Sequence, residues 1–429
     1  MNIIERGRGF VQWLRELHQR SLWDWRRCPR CGKDQTIRNG GYWRRPWTFE
    51  GRQRVRVQRH RCYACGRSYI EERAWLVRGS WYGREVHRWA VDCWVYARSS
   101  LRRSAEMARS WLGRQERWGM WRPWEEGAAG GERCRLSAST VQRWLGRAGQ
   151  KAQESVAGHL QGLESSGQFG SDGLWARLRG GGKRVVLSLV DSVTGLVWGL
   201  VVAGGEESAA EWQKLFERAK EVGLLWEQLD GLTSDGAQGL LAYLRQALEW
   251  VHHQRCVWHF WRSLGTELGK ALTKAAKGLS KEAAEAARQL AREELTALLH
   301  AVIDAPSYAQ AEQALMRLGQ HPLGQQLAKK VNEQFDRLLF TLLPEHRGLL
   351  RIAPEWLWRD FRLRPSRGRN QGCEQGLERA ALLWMVAHEF TPAQWRSERK
   401  RKYKHPGQSP LEVAGGRPGA ISYLDALEV

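Results

Sequence analysis

The sequence predicts an α/β core that is interrupted by an all-helical insertion and preceded by two small basic modules. Three observations carry that expectation. From Gln168 three strand-like runs follow one another across tight glycine turns. The stretch from Leu232 to Trp261 then reads as strand, acid, helix, strand. After His259 the chain keeps a helical pattern for about a hundred residues with no strand of comparable length.

At 429 residues and 42% hydrophobic content the chain can hold two or three domains with a sizeable core. Its net charge of +22 and isoelectric point near 10.1 are extreme. The excess is uneven, because basic residues outnumber acidic ones roughly two to one between Met1 and Glu164. That asymmetry points to a polyanionic partner, DNA or RNA. No apolar run reaches the 18 or so residues of a membrane span, and the first twenty residues lack the apolar stretch of a secretory signal, so a cytoplasmic protein is expected. Of eight cysteines, four form two tight pairs, which in such a chain favours metal over disulfides. Most of the 25 Trp residues read as packing groups, with a minority available to stack on bases.

The first module, residues 1–78, opens with an amphipathic helix at about Gly9 to Arg20. Cys28 and Cys31, then Cys62 and Cys65, form two Cys-x2-Cys knuckles, each followed by glycine, which suit a tetrahedral thiolate site for structural Zn2+. Between them arginines alternate with apolar residues at strand period, so Arg44, Arg45, Arg52, Arg54 and Arg56 are candidates for a face laid on phosphates. Residues 79–165 read as a helical DNA-binding region. Helices are expected at Glu85 to Ser99 and Arg102 to Leu112, followed by a loop from Gly113 to Arg133. A short turn at Ser137 then leads into a helix with Gln142 and Arg143 near its start, as in the second element of a helix-turn-helix.

The core occupies residues 166–260 and 366–392. Gln168 to Leu178, Val185 to Asp191 and Leu196 to Ala203 form an antiparallel meander. Ser208 and Glu211 suggest a capping box for the next helix, which leads to the strand ending at Asp235. A second strand from Val251 ends in the Cys-x-x-His of Cys256 and His259. Three strands, helix, strand, helix, strand is the order of a ribonuclease-H-like catalytic core. Residues 261–365 read as the helical insertion, ending in a basic loop from Arg362 that opens a helix running to about Phe390; residues 393–429 read as a basic tail.

Such a core performs phosphoryl transfer with two divalent ions about 3.5 to 4 Å apart, held by carboxylates from separate elements. Hard oxygen ligands favour Mg2+ or Mn2+. Asp172 on the first strand, Asp235 after the fourth and Glu374 on the late helix occupy the expected places, with Glu378 one turn further as an alternative to Glu374. Asp191 lies in an Asp-Ser-Val-Thr-Gly context that reads as a hairpin turn. Cys256 and His259 read most simply as a buried thiol and a hydrogen-bonded imidazole closing a strand end.

The residues around these acids resemble a known family. Asp172 with Trp175 and Arg177, Ser234 to Ala237 with Gly239 to Leu241, His253 to His259, and Asn370 to Glu374 are similar to the DDE transposases of bacterial insertion sequences, of the Mutator-like superfamily. The likeness spans about Gln168 to Phe390. It implies Asp172, Asp235 and Glu374 as the catalytic triad, and Cys256 and His259 as the superfamily's Cys-x2-His motif near the active site. The two polar residues usual just before the final acid are here replaced by Asn370-Gln371-Gly372-Cys373. The implied function is cleavage and strand transfer of DNA at the ends of an insertion sequence, on a target DNA, by a homo-oligomer. A DNA-binding regulator without cleavage activity and a ribonuclease-H-like nuclease are the competing expectations.

Overall fold

The computed structural model describes residues 26–71, 73–97, 99–117, 134–346, 349–354, 372–392, 405, 407–416 and 422–427. The expected helix at Gly9 to Arg20, most of the basic loop from Arg362 and the basic run Arg396 to Lys404 lie outside the described residues. The chain divides into two compact units, Met1–Ala148 with the last two residues, and Gly149–Leu427, the boundary falling inside one long helix.

In the first unit an antiparallel sheet has the order β1 (Thr36–Arg44), β4 (Val55–Cys62), β5 (Ser68–Ile70), with a small ribbon of β2 (Trp47–Thr48) and β3 (Gly51–Arg52) between. The alternation in β4 is the reason: Val55 and Val57 are buried with Trp75 and Leu76, while Arg56, Arg59 and Arg61 face water. Helices α1 (Arg84–Val95) and α2 (Leu101–Arg117) follow, joined across residues 96–100. The sequence expectation ended α2 at Leu112; its helix continues to Arg117, because the residues to Arg117 are good helix formers and the Gly113 among them is tolerated. Helix α3 (Ala138–Leu160) starts at Ser137, whose hydroxyl accepts from the Thr140 amide at 3.2 Å. The short connection in this unit is therefore the one between α1 and α2, and residues 118–133 before α3 lie outside the described set.

In the second unit the sheet has the order β10-β9-β6-β7-β8. Strands β6 (Gln168–Arg177), β7 (Lys183–Asp191) and β8 (Val197–Ala203) form the antiparallel meander, and β9 (Gly231–Ser234) and β10 (His252–Arg255) add parallel to β6 and to each other. Leu187, Leu189, Val190, Val197 and Trp198 are almost wholly buried, which fits a sheet covered on both faces. Helix α4 (Ala209–Glu221) sets Leu215 and Ala219 against Gly199, where a Cβ would stand 3.0 Å from Leu215 Cδ1. The hairpin reading of Asp191 matches what it does: its carboxylate accepts the amides of Val193 and Thr194 at 2.9 Å each. The capping box is a correction. Ser208 is the N-cap of α4 but its side chain makes no cap bond, and Glu211 instead takes Lys214 at 2.7 Å.

After α5 (Gln238–Ala247) and β10, the chain turns directly into α6 (Val257–Ala275), so Cys256 and His259 open a helix rather than end a strand. Helices α7 (Lys281–Ile303), α8 (Tyr308–Gln320), α9 (Gln325–Asn332) and α10 (Phe335–Leu339) follow. Phe260, Leu264, Leu295, Leu299, Leu318, Leu327 and Val331 make a separate core among them. Helix α11 (Glu374–Phe390) is buried along most of its length, and even Glu389 is enclosed, its carboxyl pushed well above the ordinary range by burial.

Because β7 lies at the centre of the meander, Leu187→Ala should lower the stability of the second unit by about 2–5 kcal/mol. A chemical denaturation midpoint equal to that of the unaltered protein would contradict the packing described here.

Candidate active site

Three elements bring acids to one edge of the second unit's sheet. Strands β6 and β9 run parallel, paired from Gln168 with Gly231 to Gly170 with Thr233; Asp172 lies two residues beyond that pairing on β6, and Asp235 two residues beyond it on the chain leaving β9. Asp172 is still within its strand and buried, paired across with Ser188 of β7. Asp235 lies one residue past β9, in the turn that Gly236 makes with a φ of 76°, and its Oδ1 accepts the Ala237 amide at 2.9 Å. A side chain at Gly236 would collide with the guanidinium of Arg255, so the turn and the arginine fit together only with glycine there.

Glu374 is the first residue of α11, and its carboxylate pairs with Arg184. Arg184 is opposite Ala176, which shares a face of β6 with Asp172, so Glu374 reaches the face of the first acid. The two positions are four residues apart, about 13 Å along a strand. Among the described residues, Cys28, Cys31, Cys62 and Cys65 are the only group of three or more His, Cys, Asp or Glu ligand atoms within 4.8 Å of one another. Asp172, on β6, and Asp235, after β9, thus lie just past the paired stretch of two neighbouring strands, and together with Glu374 they do not form a cluster at ligand distance.

A fourth carboxylate, missed in the sequence, completes this edge. Glu207 follows β8, whose carboxyl end lies on the same side of the meander as that of β6. A Cβ on Gly173 would stand 2.7 Å from Glu207 Oε1, and one on Gly239 would overlap the Glu207 carbonyl, so two glycines admit it. Its carboxyl is held up at about 7, first by burial and then by the charge of Asp235, while a hydrogen bond from Trp175 acts in the opposite direction. An acid in the loop after the third strand, together with glycines at 173 and 239, was the available signal.

Cations and imidazoles surround Asp235. Burial pulls Arg255 below its usual value, Asp235 opposes that shift, and burial likewise lowers His259 while Asp235 raises it. Ser234 Oγ meets His253 Nε2 at 2.8 Å. Cys256 is fully buried and its Sγ accepts the Ala353 amide at 3.3 Å, while Val257 donates to the Arg351 carbonyl at 2.9 Å. The segment Leu349–Pro354 thus lies along β9, and Pro354 Cδ would touch a Cβ on Gly170 at 2.9 Å.

In the first unit the four expected thiols come together. Cys28 and Cys65 sulfurs are 3.6 Å apart, as are those of Cys31 and Cys62. Each knuckle closes with a turn, Gly32 N to Cys28 O and Gly66 N to Cys62 O, on glycines with φ near 70°. A tetrahedron of sulfurs at about 2.3 Å from a zinc ion has this size, so the donor set fits Zn2+. Of the arginines expected to contact phosphate, Arg44 donates to the Val77 and Ser80 carbonyls and Arg52 to that of Arg45, whereas Arg45, Arg54 and Arg56 are exposed. Arg54 lies 4.3 Å over the half-exposed ring of Trp43. On α3 Arg143 is exposed and bonded to Thr140 at 3.3 Å, and Gln142 is half-buried.

Residues 194–324 match the family described as Transposase, Mutator family. The matched stretch runs from before β8 to beyond the end of α8, and the match agrees with the resemblance read from the residues. The chain is similar to the transposase for insertion sequence element IS256 in transposon Tn4001 of Staphylococcus aureus, at 35% identity over 117 residues. The protein of the same name from Enterococcus faecalis is similar to the same degree. The match covers 26% of this chain and 28% of the length of those relatives.

Two outcomes test these assignments. Cys62→Ser should reduce bound zinc towards zero and unfold the ribbon, since such a site contributes folding energy directly; elemental analysis showing full zinc content would remove the site. In chelator-treated protein, Glu207 should cost stability as pH rises. The unfolded chain gives up this proton near 4.5, the folded one only near 7, so the contribution is intact below 4.5 and lost through 7. Thermal melting of Glu207→Gln from pH 4.5 to 7.5 should show a shallower decline; a slope parallel to that of the unaltered protein would show that Glu207 is not held in its neutral form.

Proposed function

We propose that the protein is a DNA transposase that binds the ends of its own insertion sequence, then cuts and joins DNA by metal-assisted phosphoryl transfer on a ribonuclease-H-like core. The observation that supports this reading is the parallel pairing of β6, which carries Asp172, with β9, which leads to Asp235, in a core overlapping the segment that matches the Mutator family. The acid of a later helix on the same face, Glu374, and the strand order β10-β9-β6-β7-β8 support it.

Asp172, Asp235 and Glu374 are the groups that would hold two Mg2+ or Mn2+ ions, and their hard oxygens fit those cations. When bound, such ions supply activation of the attacking oxygen and charge neutralisation at the leaving oxygen. The chain's own contribution is geometric and electrostatic. Burial of Asp172 and the turn at Gly236 fix two carboxylates on one rigid edge, and Arg255 balances the charge of Asp235. In cleavage the oxygen of water bonds to phosphorus while the bond from phosphorus to the 3′ oxygen breaks, freeing a 3′-hydroxyl. In strand transfer that hydroxyl attacks a phosphodiester of the target, forming one ester bond as another breaks. The zinc ribbon, with Arg45, Arg54 and Arg56, and the start of α3, with Gln142 and Arg143, would bind the ends in the cytoplasm. Joining two ends requires a dimer or larger assembly.

Incubated in Mg2+ with DNA carrying the flanking ends of its own gene, the protein should nick at the element boundary. Asp235→Asn should abolish nicking and leave end binding nearly unchanged. Binding without boundary nicks in either protein would overturn the transposase reading in favour of a DNA-binding regulator.

A further inference from the structure

The second unit holds a cavity of about 860 Å³ beside the carboxylate edge, walled by α5, β10, α6 and the stretch from α9 to α10. It begins at Gly236, the residue after Asp235, and Arg255 and Arg337 both line it. Arg245 and Lys330 add to its charge, against Glu249 and Glu333, so four cations face two acids. Lys330 is partly occupied by Glu267 at 3.4 Å, which leaves the guanidinium groups as its dominant feature.

Arg255 and Arg337 act on the same group and on each other. The charge of Arg337 opposes that of Arg255, and both follow burial in holding His253, another lining residue, at about 3. Two guanidinium groups that line one half-enclosed space, one of them partly buried, repel each other. An anion between them reverses that cost, and the planar, forked donors of arginine match a phosphate in bidentate fashion. The wall is tied to the acids. His253 bonds Ser234, Ser234 immediately precedes Asp235, and β10 carries Arg255 alongside β9.

We propose that this cavity seats a backbone phosphate of the DNA strand lying across the carboxylate edge, gripped between Arg255 and Arg337 and flanking the phosphate that reacts. The inference rests on the transposase reading. A volume of about 860 Å³ exceeds what one phosphate needs, and the lining includes Gly236, the residue after Asp235, so a strand crossing that edge has the cavity beside it. The cavity is thus a second backbone contact on the core, separate from the basic face of the ribbon.

The test uses the full chain carrying Asp235→Asn, without divalent metal, so that chemistry plays no part. Fluorescence anisotropy measures its binding to a labelled duplex bearing the gene's flanking ends over a range of salt. Arg337, exposed on the short helix α10, is replaced by Gln and by Lys, and Arg317→Gln on α8 is the control for a generic loss of charge. Arg337→Gln should weaken binding roughly tenfold and lower the salt slope by about one. Arg337→Lys should recover the slope and only part of the affinity, and Arg317→Gln should match its parent. Equal effects of Arg337→Gln and Arg317→Gln would overturn the inference and leave the transposase reading intact. Loss of all DNA binding by the parent would overturn both. Calorimetric binding of inorganic phosphate that disappears in Arg337→Gln, with DNA affinity unmoved, would assign the cavity to a free anion and overturn the proposal.

Discussion

The pairing of β9 to β6 is the constraint on which the rest of the second unit depends. It is short, with Gly231, Leu232 and Thr233 beside Gln168, Phe169 and Gly170, yet it joins the strand that carries Asp172 to the one that leads into Asp235. Because strand side chains alternate, a slip of one residue would turn the side chains of Leu232 and Thr233 to the opposite faces and shift the point at which the chain leaves β9 for Asp235. The pair is braced from two sides. Thr233 donates to the Leu350 carbonyl, and the Gln168 side chain donates to Asp230 at 2.9 Å. Phe169 and Leu232, both wholly buried, keep the ladder in the core.

Around that ladder, glycine decides what can come close. Gly173 and Gly239 admit Glu207, Gly236 admits Arg255, and Gly170 admits Pro354. Each approach puts a charged group, a carbonyl or, at Gly170, the proline ring against the edge that a side chain would otherwise fill. The result is a site with carboxylates and cations interleaved, Asp235 lying in the fields of Glu207, Arg255 and His259. The long helical stretch stands outside this economy: Phe260, Leu264, Leu295 and Leu299 give it a core of its own, and Gln254 fastens it to β10 through the Leu338 carbonyl at 3.0 Å. The first unit's small sheet buries little, and beside it four cysteines form a cluster whose geometry fits a metal ion that would add to so small a core.

The legible features were those whose signal is local. Cys-x2-Cys followed by glycine fixes a knuckle turn within five residues, and the four sulfurs meet as expected. Alternating apolar and basic residues foretold β4, and the Asp-Ser-Val-Thr-Gly run foretold the hairpin that Asp191 closes. Features that depend on distant partners were not legible. Ser208 and Glu211 have the spacing of a capping box, but Glu207 immediately before them is enlisted by Gly173 and Trp175, and Glu211 turns to Lys214. Arg44 reads as one of a row of phosphate contacts, yet the Val77 and Ser80 carbonyls, more than thirty residues away, take its guanidinium.

By itself, then, the sequence determined the main strands and helices and the knuckles, because hydrophobic period, turn chemistry and residue type act over a few neighbours; it offered Asp172, Asp235 and Glu374 as candidates. Only the tertiary structure decided which acids stand together. The strands that lead to Asp172 and Asp235 are set side by side by a parallel pairing, Glu374 is drawn to Arg184 across from Ala176, and Glu207 enters beside two glycines. Those outcomes depend on contacts between residues tens to almost two hundred positions apart, which no local pattern encodes.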